Sequence, residues 1–341
     1  MNGGGRVAVA GLGLAVLGGG LFMFAGGRAG GGTAAGARTT AGAAASTSTP
    51  AGGVSAPAGI VTGSAGAHAT GVNPQATGTQ RAQSRAPGRA PARRGDPLAP
   101  TAAFLAGRLG RVSVAVNDLA TGQTWTAGDA GLPQDEASVV KVGILETLLV
   151  QSSAGLSPGQ ATLARQMIED SDNGATTTLW NAVGGAEGIR AFDARAGLTS
   201  TIPSPCVRCA GFPWPGWGLT TTTALDQLTL LRQLISPGQA LSAPMREFAL
   251  NLMENVAPDQ RWGVSGGVPP RVTVALKNGW LPLNAARTDW QINSVGWVAG
   301  HGRDYLIAVL STGNPSEAYG IDTIDALSAI VWRQLAGPRQ S

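Results

Sequence analysis

Ser138-Val139-Val140-Lys141-Val142-Gly143-Ile144-Leu145-Glu146-Thr147-Leu148-Leu149-Val150 is the stretch on which the reading of this chain turns. It reads as an apolar helix that opens on a serine and carries a lysine three residues later. Positions three apart on a helix share a face, so the Lys141 amine can reach the Ser138 hydroxyl. Only two lysines occur in the 341 residues, Lys141 and Lys277, against twenty-two arginines. Arginine cannot release its proton, whereas a desolvated ammonium can be tuned into a base or a compact point charge. A chain that uses arginine for its ordinary cations therefore marks its two lysines as places where arginine would fail.

The second lysine opens Lys277-Asn278-Gly279-Trp280, and Ser171-Asp172-Asn173 lies between the two. Near the start of its helix Ser138 has free backbone N–H groups and the positive end of the dipole beside it, a setting that favours an oxyanion. A serine activated by a partly deprotonated amine is a route to an acyl-enzyme. Ser171, at a break between helices, could relay a proton to a leaving nitrogen, and Asn173 could hold a substrate amide, while Asp172 shapes the turn. Lys277, expected at the end of a strand, offers a positive charge to a bound carboxylate. Gly279 lets a substrate backbone approach, and the Trp280 N–H could complete an oxyanion hole with that of Ser138. Singly, each motif also fits a surface Ser–Lys pair or a helix-capping loop. Their conjunction, in this order and with the only two lysines, points to nucleophilic catalysis.

Outward from these motifs the folded part divides into strands and helices. A helix is expected over 101–109, then a strand over 112–117 and a hairpin through Thr121-Gly122. Asp135-Glu136 precede the Ser138 helix, where acids complement its dipole. Helices over 159–170, 174–183 and 186–196 follow, and 200–218 is an irregular loop with no acid. Thr221-Thr222-Thr223 caps a helix over 224–234, another covers 243–253, strands cover 272–276, 291–298 and 305–312, and 321–337 closes the chain as a helix. Strands near both ends with helices between them imply a mixed α/β fold of the α+β kind: an antiparallel sheet flanked by N- and C-terminal helices, with an inserted all-helical lobe. The sheet lobe is expected over 99–135 and 225–341, the helical lobe over 136–224.

Residues 7–25 are uncharged and apolar, which reads as a signal peptide within 1–28 or a membrane anchor. Residues 29–98 are rich in Gly, Ala, Thr, Ser and Pro and read as a disordered linker. The domain is therefore expected outside the cell or on the outer face of its membrane, as a monomer. The pI of about 9.7 belongs to the tail. Residues 1–98 carry a net charge of +7, and 99–341 a net charge of −3, with no basic stripe, so a nucleic-acid partner is not expected. Cys206 and Cys209 form one Cys-x-x-Cys, and His301 is the folded part's one histidine, too few ligands for zinc. No metal or cofactor is expected, and the two cysteines read as a disulfide that staples the 200–218 loop. His301 lies between two glycines, the setting of a hairpin turn, so a Ser-His-Asp triad is not expected.

From about residue 100 to 338 the chain resembles the class A β-lactamases and the penicillin-binding proteins related to them. Ser138-Val139-Val140-Lys141 is similar to that family's Ser-x-x-Lys, Ser171-Asp172-Asn173 to its Ser-Asp-Asn, and Lys277-Asn278-Gly279 to its Lys-Thr-Gly. The resemblance implies Ser138 as nucleophile, Lys141 as base, Ser171 as proton relay, Asn173 as substrate amide contact and Lys277 as carboxylate anchor. Asn278 stands where a hydroxyl residue usually helps bind the substrate carboxylate. The implied activity is acylation by, and hydrolysis of, a β-lactam. The alternatives are a cell-wall D-Ala-D-Ala-type peptidase or esterase, and a domain that binds penicillin or another ligand without turnover. Three departures stand out: no acid in the loop that carries the deacylation glutamate, the bulk of Trp280, and a short 138–171 interval that implies a more open cleft.

Overall fold

The computed structural model describes residues 94–336. The apolar run 7–25 and most of the linker lie outside the described residues. In chain order the helices are α1 (Thr101–Ala106), α2 (Val140–Gln151), α3 (Pro158–Glu169), α4 (Asn173–Ala182), α5 (Gly185–Ala196), α6 (Ala224–Ile235), α7 (Ala243–Glu254) and α8 (Glu317–Gln334). The strands are β1 (Arg111–Asp118), β2 (Thr124–Gly128), β3 (Gln134–Asp135), β4 (Thr221–Thr222), β5 (Thr273–Pro282), β6 (Trp290–Gly300) and β7 (Arg303–Asn314). Five of them form an antiparallel sheet in the order β2-β1-β7-β6-β5, and β3 pairs with β4 apart from it. The expected α+β architecture is the observed one.

Alternation along the strands divides the core in two, because successive side chains in a strand leave on opposite faces. Val114, Val116, Leu276, Ile292, Ile307 and Val309 pack with Ile324, Leu327 and Val331 of α8. Ala115, Ala275, Val295, Leu306 and Ala308 pack instead with the helices α2 to α7. Helix α2 is central to that second layer, with ten of its twelve residues buried. Such all-round burial is what an apolar helix without a polar stripe requires. Local chemistry sets several helix starts. Ser157 and Gln160 form a capping box ahead of α3, the Asp172 carboxylate accepts from the Ala175 N–H at 2.6 Å to open α4, and Thr223 caps α6.

Four local expectations are corrected. The fold includes residues before 99: Arg94 pairs with Asp118 at 2.9 Å and donates to the Leu335 carbonyl, and Leu98 is buried. The Ser138 helix begins with a 3-10 turn, Ala137–Val139, behind an alanine at φ 50°, and only then becomes α-helical. The strand expected to stop at 276 runs on to Pro282, paired along its whole length with β6, so Lys277 is within the strand and not at its end. Glu136, expected as a charged partner of the helix dipole, is buried, with its Oε1 facing Gln227. Burial, then the neighbouring Asp193 and Asp226, push its carboxyl well above the ordinary range.

Glu136 belongs to a wider arrangement of inward-facing acids. Glu146 of α2 is completely buried, with no hydrogen-bond partner for either carboxylate oxygen. Burial first and Asp193 second raise its pKa well above 4.5. Asp193 of α5 is pushed up to about 7 by burial and Asp226, against the pull of Arg190. An acid whose folded pKa exceeds its unfolded value binds more protons in the folded state, so its ionisation erodes stability as pH rises from the unfolded value through the folded one. Glu146→Gln keeps the shape and removes the charge. It is expected to leave stability near pH 4 almost unchanged and to raise it by about 1–3 kcal/mol at pH 8. Urea unfolding at both pH values measures this, and parallel pH profiles for the two proteins would contradict it.

Candidate active site

The turn that carries Ser138 is pinned from two elements. Gly279 of β5 lies flat against it: a Cβ there would come within 2.7 Å of the Ser138 nitrogen and 2.8 Å of the Glu136 carbonyl. Asn293, the partner of Gly279 on β6, donates from Nδ2 to the carbonyls of Asp135 at 2.8 Å and Glu136 at 2.9 Å. The Glu136 N–H in turn reaches the Thr220 carbonyl at 2.7 Å. These bonds satisfy the peptide groups of a non-helical turn in the interior, as buried backbone requires. Ser138 itself is half-buried, with a route to solvent.

Behind it stand both lysines, each fully buried. Lys141 Nζ donates to the Ser171 carbonyl at 2.7 Å, the Ser171 hydroxyl at 2.8 Å and Asn173 Oδ1 at 3.0 Å. Lys277 Nζ donates to the same Ser171 hydroxyl at 3.0 Å and to the Asn278 carbonyl at 2.9 Å. Ser171 holds a left-handed backbone, φ 55°, which places its carbonyl and hydroxyl together toward Lys141. The Lys141 amine is held well below 10.5 by burial and by the Lys277 charge, with Asp172 opposing. Burial lowers Lys277 to about 7. Both shifts favour the neutral amine, because an ammonium removed from water without a carboxylate partner is costly.

The structure thus brings Ser138, Lys141, Ser171, Asn173, Lys277 and Gly279 to one place. The three hydrogen bonds of Lys141 go to Ser171 and Asn173 and not, as expected, to Ser138. Asn278 is not part of the group. Cross-strand and alternate positions share a face, so Lys277, Gly279 and Asn293 face the helical lobe while Asn278 and Trp280 face α8. The Asn278 Nδ2 is bonded to the carbonyls of Gln260 at 2.7 Å and Trp262 at 3.1 Å, which corrects its expected role as a substrate contact. The Trp280 ring packs edge-on against Trp262 at 6.0 Å, so its bulk is directed away from the lysines. Its backbone differs. Alternate residues of a strand turn their peptide groups to the same edge. The Asn278 carbonyl faces Lys277 on the outer side of β5, the last strand of its sheet, and the Trp280 N–H shares that free edge.

One contributor was missed in the sequence and another was left between two readings. Asn293 could have been suspected from Gln291 and Asn293, polar residues at alternate positions that interrupt an otherwise apolar strand. Trp217, with Trp214 in the irregular 200–218 loop, could be read from the sequence either as lining the cleft or as packing that loop. It is buried in a 3-10 turn, Gly216–Leu219, with its ring centroid 5.1 Å from Lys141 Nζ and its indole N–H on Thr177 Oγ1 at 3.1 Å. Its loop is stapled by the expected disulfide between Cys206 and Cys209. His301 lies in the β6–β7 turn at φ 50°, as its flanking glycines suggested.

Comparison with known proteins bears on the fold and the family. "Putative lipoprotein LppW" of Mycobacterium tuberculosis is 29% identical over 224 residues, 62% of this chain and 67% of its own length. The TLA-1 extended spectrum β-lactamase superimposes with a TM-score of 0.60 at 17% identity, over 69% of this chain and 96% of its own. The class A β-lactamase from Mycobacterium abscessus does so with a TM-score of 0.56 at 20% identity, over 69% of this chain and 97% of its own. The model of the beta-lactamase enzyme family matches residues 152–335, a span that includes Ser171, Asn173 and Lys277 and begins just after Ser138 and Lys141. With more than half of its length matched by that model and its fold shared with class A enzymes, the chain belongs to the beta-lactamase enzyme family.

Proposed function

We propose that the protein is a serine hydrolase that takes the acyl group of a β-lactam onto Ser138 and releases it to water. The observation that carries this reading is the shared Ser171 hydroxyl between two fully buried amines, Lys141 at 2.8 Å and Lys277 at 3.0 Å, beside a half-buried serine. Neutral Lys141 donates only two of its three bonds, and its freed lone pair takes the Ser138 proton as Oγ attacks the lactam carbonyl carbon. The N–H groups of Ser138 and Trp280 support the oxyanion, an interaction worth about 3 kcal/mol per donor in comparable sites. As the C–N bond breaks, the ring nitrogen takes a proton through the Ser171 hydroxyl, which Lys141 resupplies. Asn173 keeps its Nδ2 free to donate to a substrate amide carbonyl, because its Oδ1 is held by Lys141. A substrate carboxylate beside Lys277 favours the charged ammonium and so gains a hydrogen-bonded ion pair. The same machinery acts on a cell-wall peptide that ends in a carboxylate. Residues 7–25 carry the chain out of the cytoplasm or anchor it on the outer membrane face, in keeping with a relative whose name is that of a lipoprotein.

Two measurements test the assignment. Full-length protein incubated with benzylpenicillin is expected to gain the mass of the drug on Ser138, seen by intact mass spectrometry and absent in Ser138→Ala. Lys141→Arg, which keeps the charge but cannot act as a base, is expected to slow acylation by about 10²–10⁴-fold. Normal labelling of that variant would remove Lys141 as the base. The second concerns pH and Lys277. With its amine at about 7, acylation by a free penicillin is expected to fall as pH rises above 7, since the carboxylate loses its partner. A penicillin methyl ester, which has no carboxylate, should not show that falling limb. Lys277→Ala should cost about 10–100-fold with the acid and little with the ester. Equal losses with both substrates would place Lys277 in another role.

A further inference from the structure

Release of an acyl group from Ser138 needs more than the groups that put it there. Water must form a C–O bond to the ester carbonyl while the bond to Ser138 Oγ breaks. One water proton must pass to a base, and Oγ must recover a proton to leave as the free hydroxyl. Two carboxylates near Ser138 are otherwise engaged. Asp172 caps α4 through the Ala175 N–H at 2.6 Å. Glu136 is buried behind the turn toward Gln227, away from the half-buried serine. The whole 200–218 loop, which covers Lys141, holds no acid at all.

What that loop places against Lys141 is an indole. Trp217 is 3% exposed, with its ring 5.1 Å from the amine. It cannot swing aside freely. Its N–H is tied to Thr177 of α4 at 3.1 Å, and the Gly216 N–H is tied to the Val207 carbonyl at 2.7 Å. A Cβ at Gly216 would run into the Cys206 carbonyl and the Cys209 sulfur, so this residue lies directly on the disulfide. On the other side Gly218 abuts Ala137, the residue before the nucleophile, where a Cβ would meet its Cα at 3.6 Å. Disulfide, glycine, indole and nucleophile turn are stacked in one continuous contact.

We propose that Trp217 sets the pace at which the acylated protein is released: its indole fills the space beside Lys141 from which a base-activated water would attack, so the ester on Ser138 forms quickly and passes to water slowly. This rests on the acylation of Ser138 proposed above. Trp217 is a positioning residue, since it excludes water and holds the surroundings of Lys141 apolar without touching the reacting bond.

The test follows the benzylpenicillin adduct of the full-length protein by intact mass spectrometry after removal of free drug, with and without added formate as a small external base. Wild type and Trp217→Phe are expected to lose the adduct slowly, at a rate that formate does not change. Trp217→Ala is expected to lose it at least about ten-fold faster, and faster again with formate. Thr177→Val leaves the packing in place and frees the indole N–H, and should shorten the lifetime in the same direction. Water admitted beside Lys141 in Trp217→Ala should also move the rise of acylation with pH to higher pH, which a loss of general stability would not do. An adduct that decays at the same rate in wild type, Trp217→Ala and Thr177→Val overturns the inference alone. Absence of a Ser138-dependent adduct in every variant removes the acylation reading and the inference with it.

Discussion

Two buried lysine amines sharing one serine hydroxyl is the arrangement on which the rest of the structure depends. Lys141 and Lys277 come from a helix and a strand separated by more than a hundred residues, and both end on Ser171. Neither has a carboxylate in contact. In such a place the loss of water disfavours the charge on both amines, and at Lys141 the neighbouring Lys277 disfavours it further, so the proton affinity of both drops. A surface lysine would stay protonated at any physiological pH and could not act as a base. The chemistry proposed for Ser138 therefore needs a fold large enough to bury two amines. That is the physical role of the two-sided sheet and the all-buried helix α2.

Seen this way, β5 has a double task. Its inward face carries Ala275, Lys277 and Gly279 toward the helical layer, and its outward face carries Leu276 into the α8 layer. Gly279 must be bare because the nucleophile turn lies on it, and Asn293 beside it supplies the two bonds that turn requires. The strand's free edge then remains open for a substrate. A side chain at position 279 would displace Ser138 before it met any ligand, so the glycine serves the turn first and substrate approach second.

Much of this was legible in the chain because reactive chemistry restricts residue type and spacing at once. A serine and a lysine three apart, and lysines used only twice, are features that solvated surfaces do not demand. The antiparallel sheet and its two helical layers followed from alternation near both ends and helical periodicity between them. What could not be read depends on contacts between distant segments. The strand through 277 was expected to end at 276, and with it went the period-two argument that turns Asn278 away from Lys277. Had β5 been carried to Pro282, the opposite faces of Lys277 and Asn278 would have followed directly. For Trp217 the sequence left two readings, cleft lining and loop packing, and no way to choose between them. Its loop has no periodicity, and its place beside Lys141 results from a disulfide, a glycine and a bond to α4 that no short window contains.

The acids behind the nucleophile are governed by the same physics with the sign reversed. Helix α2 carries Lys141 and Glu146 on consecutive turns, both completely buried. They are not partners: the amine is bonded to Ser171 and Asn173, and neither oxygen of Glu146 has a hydrogen-bond partner. Each is pushed toward its neutral form, the lysine by a lowered proton affinity and the glutamate by a raised one. A neutral helix can sit in an apolar core, whereas the same helix with one group charged cannot do so without cost. The alkaline side of neutrality therefore loads strain onto α2 through Glu146, Asp193 and Glu136, and Glu136 is two residues from Ser138. On the proposed mechanism, the pH range open to Lys141 as a base is bounded by the range in which the helix that carries it stays uncharged.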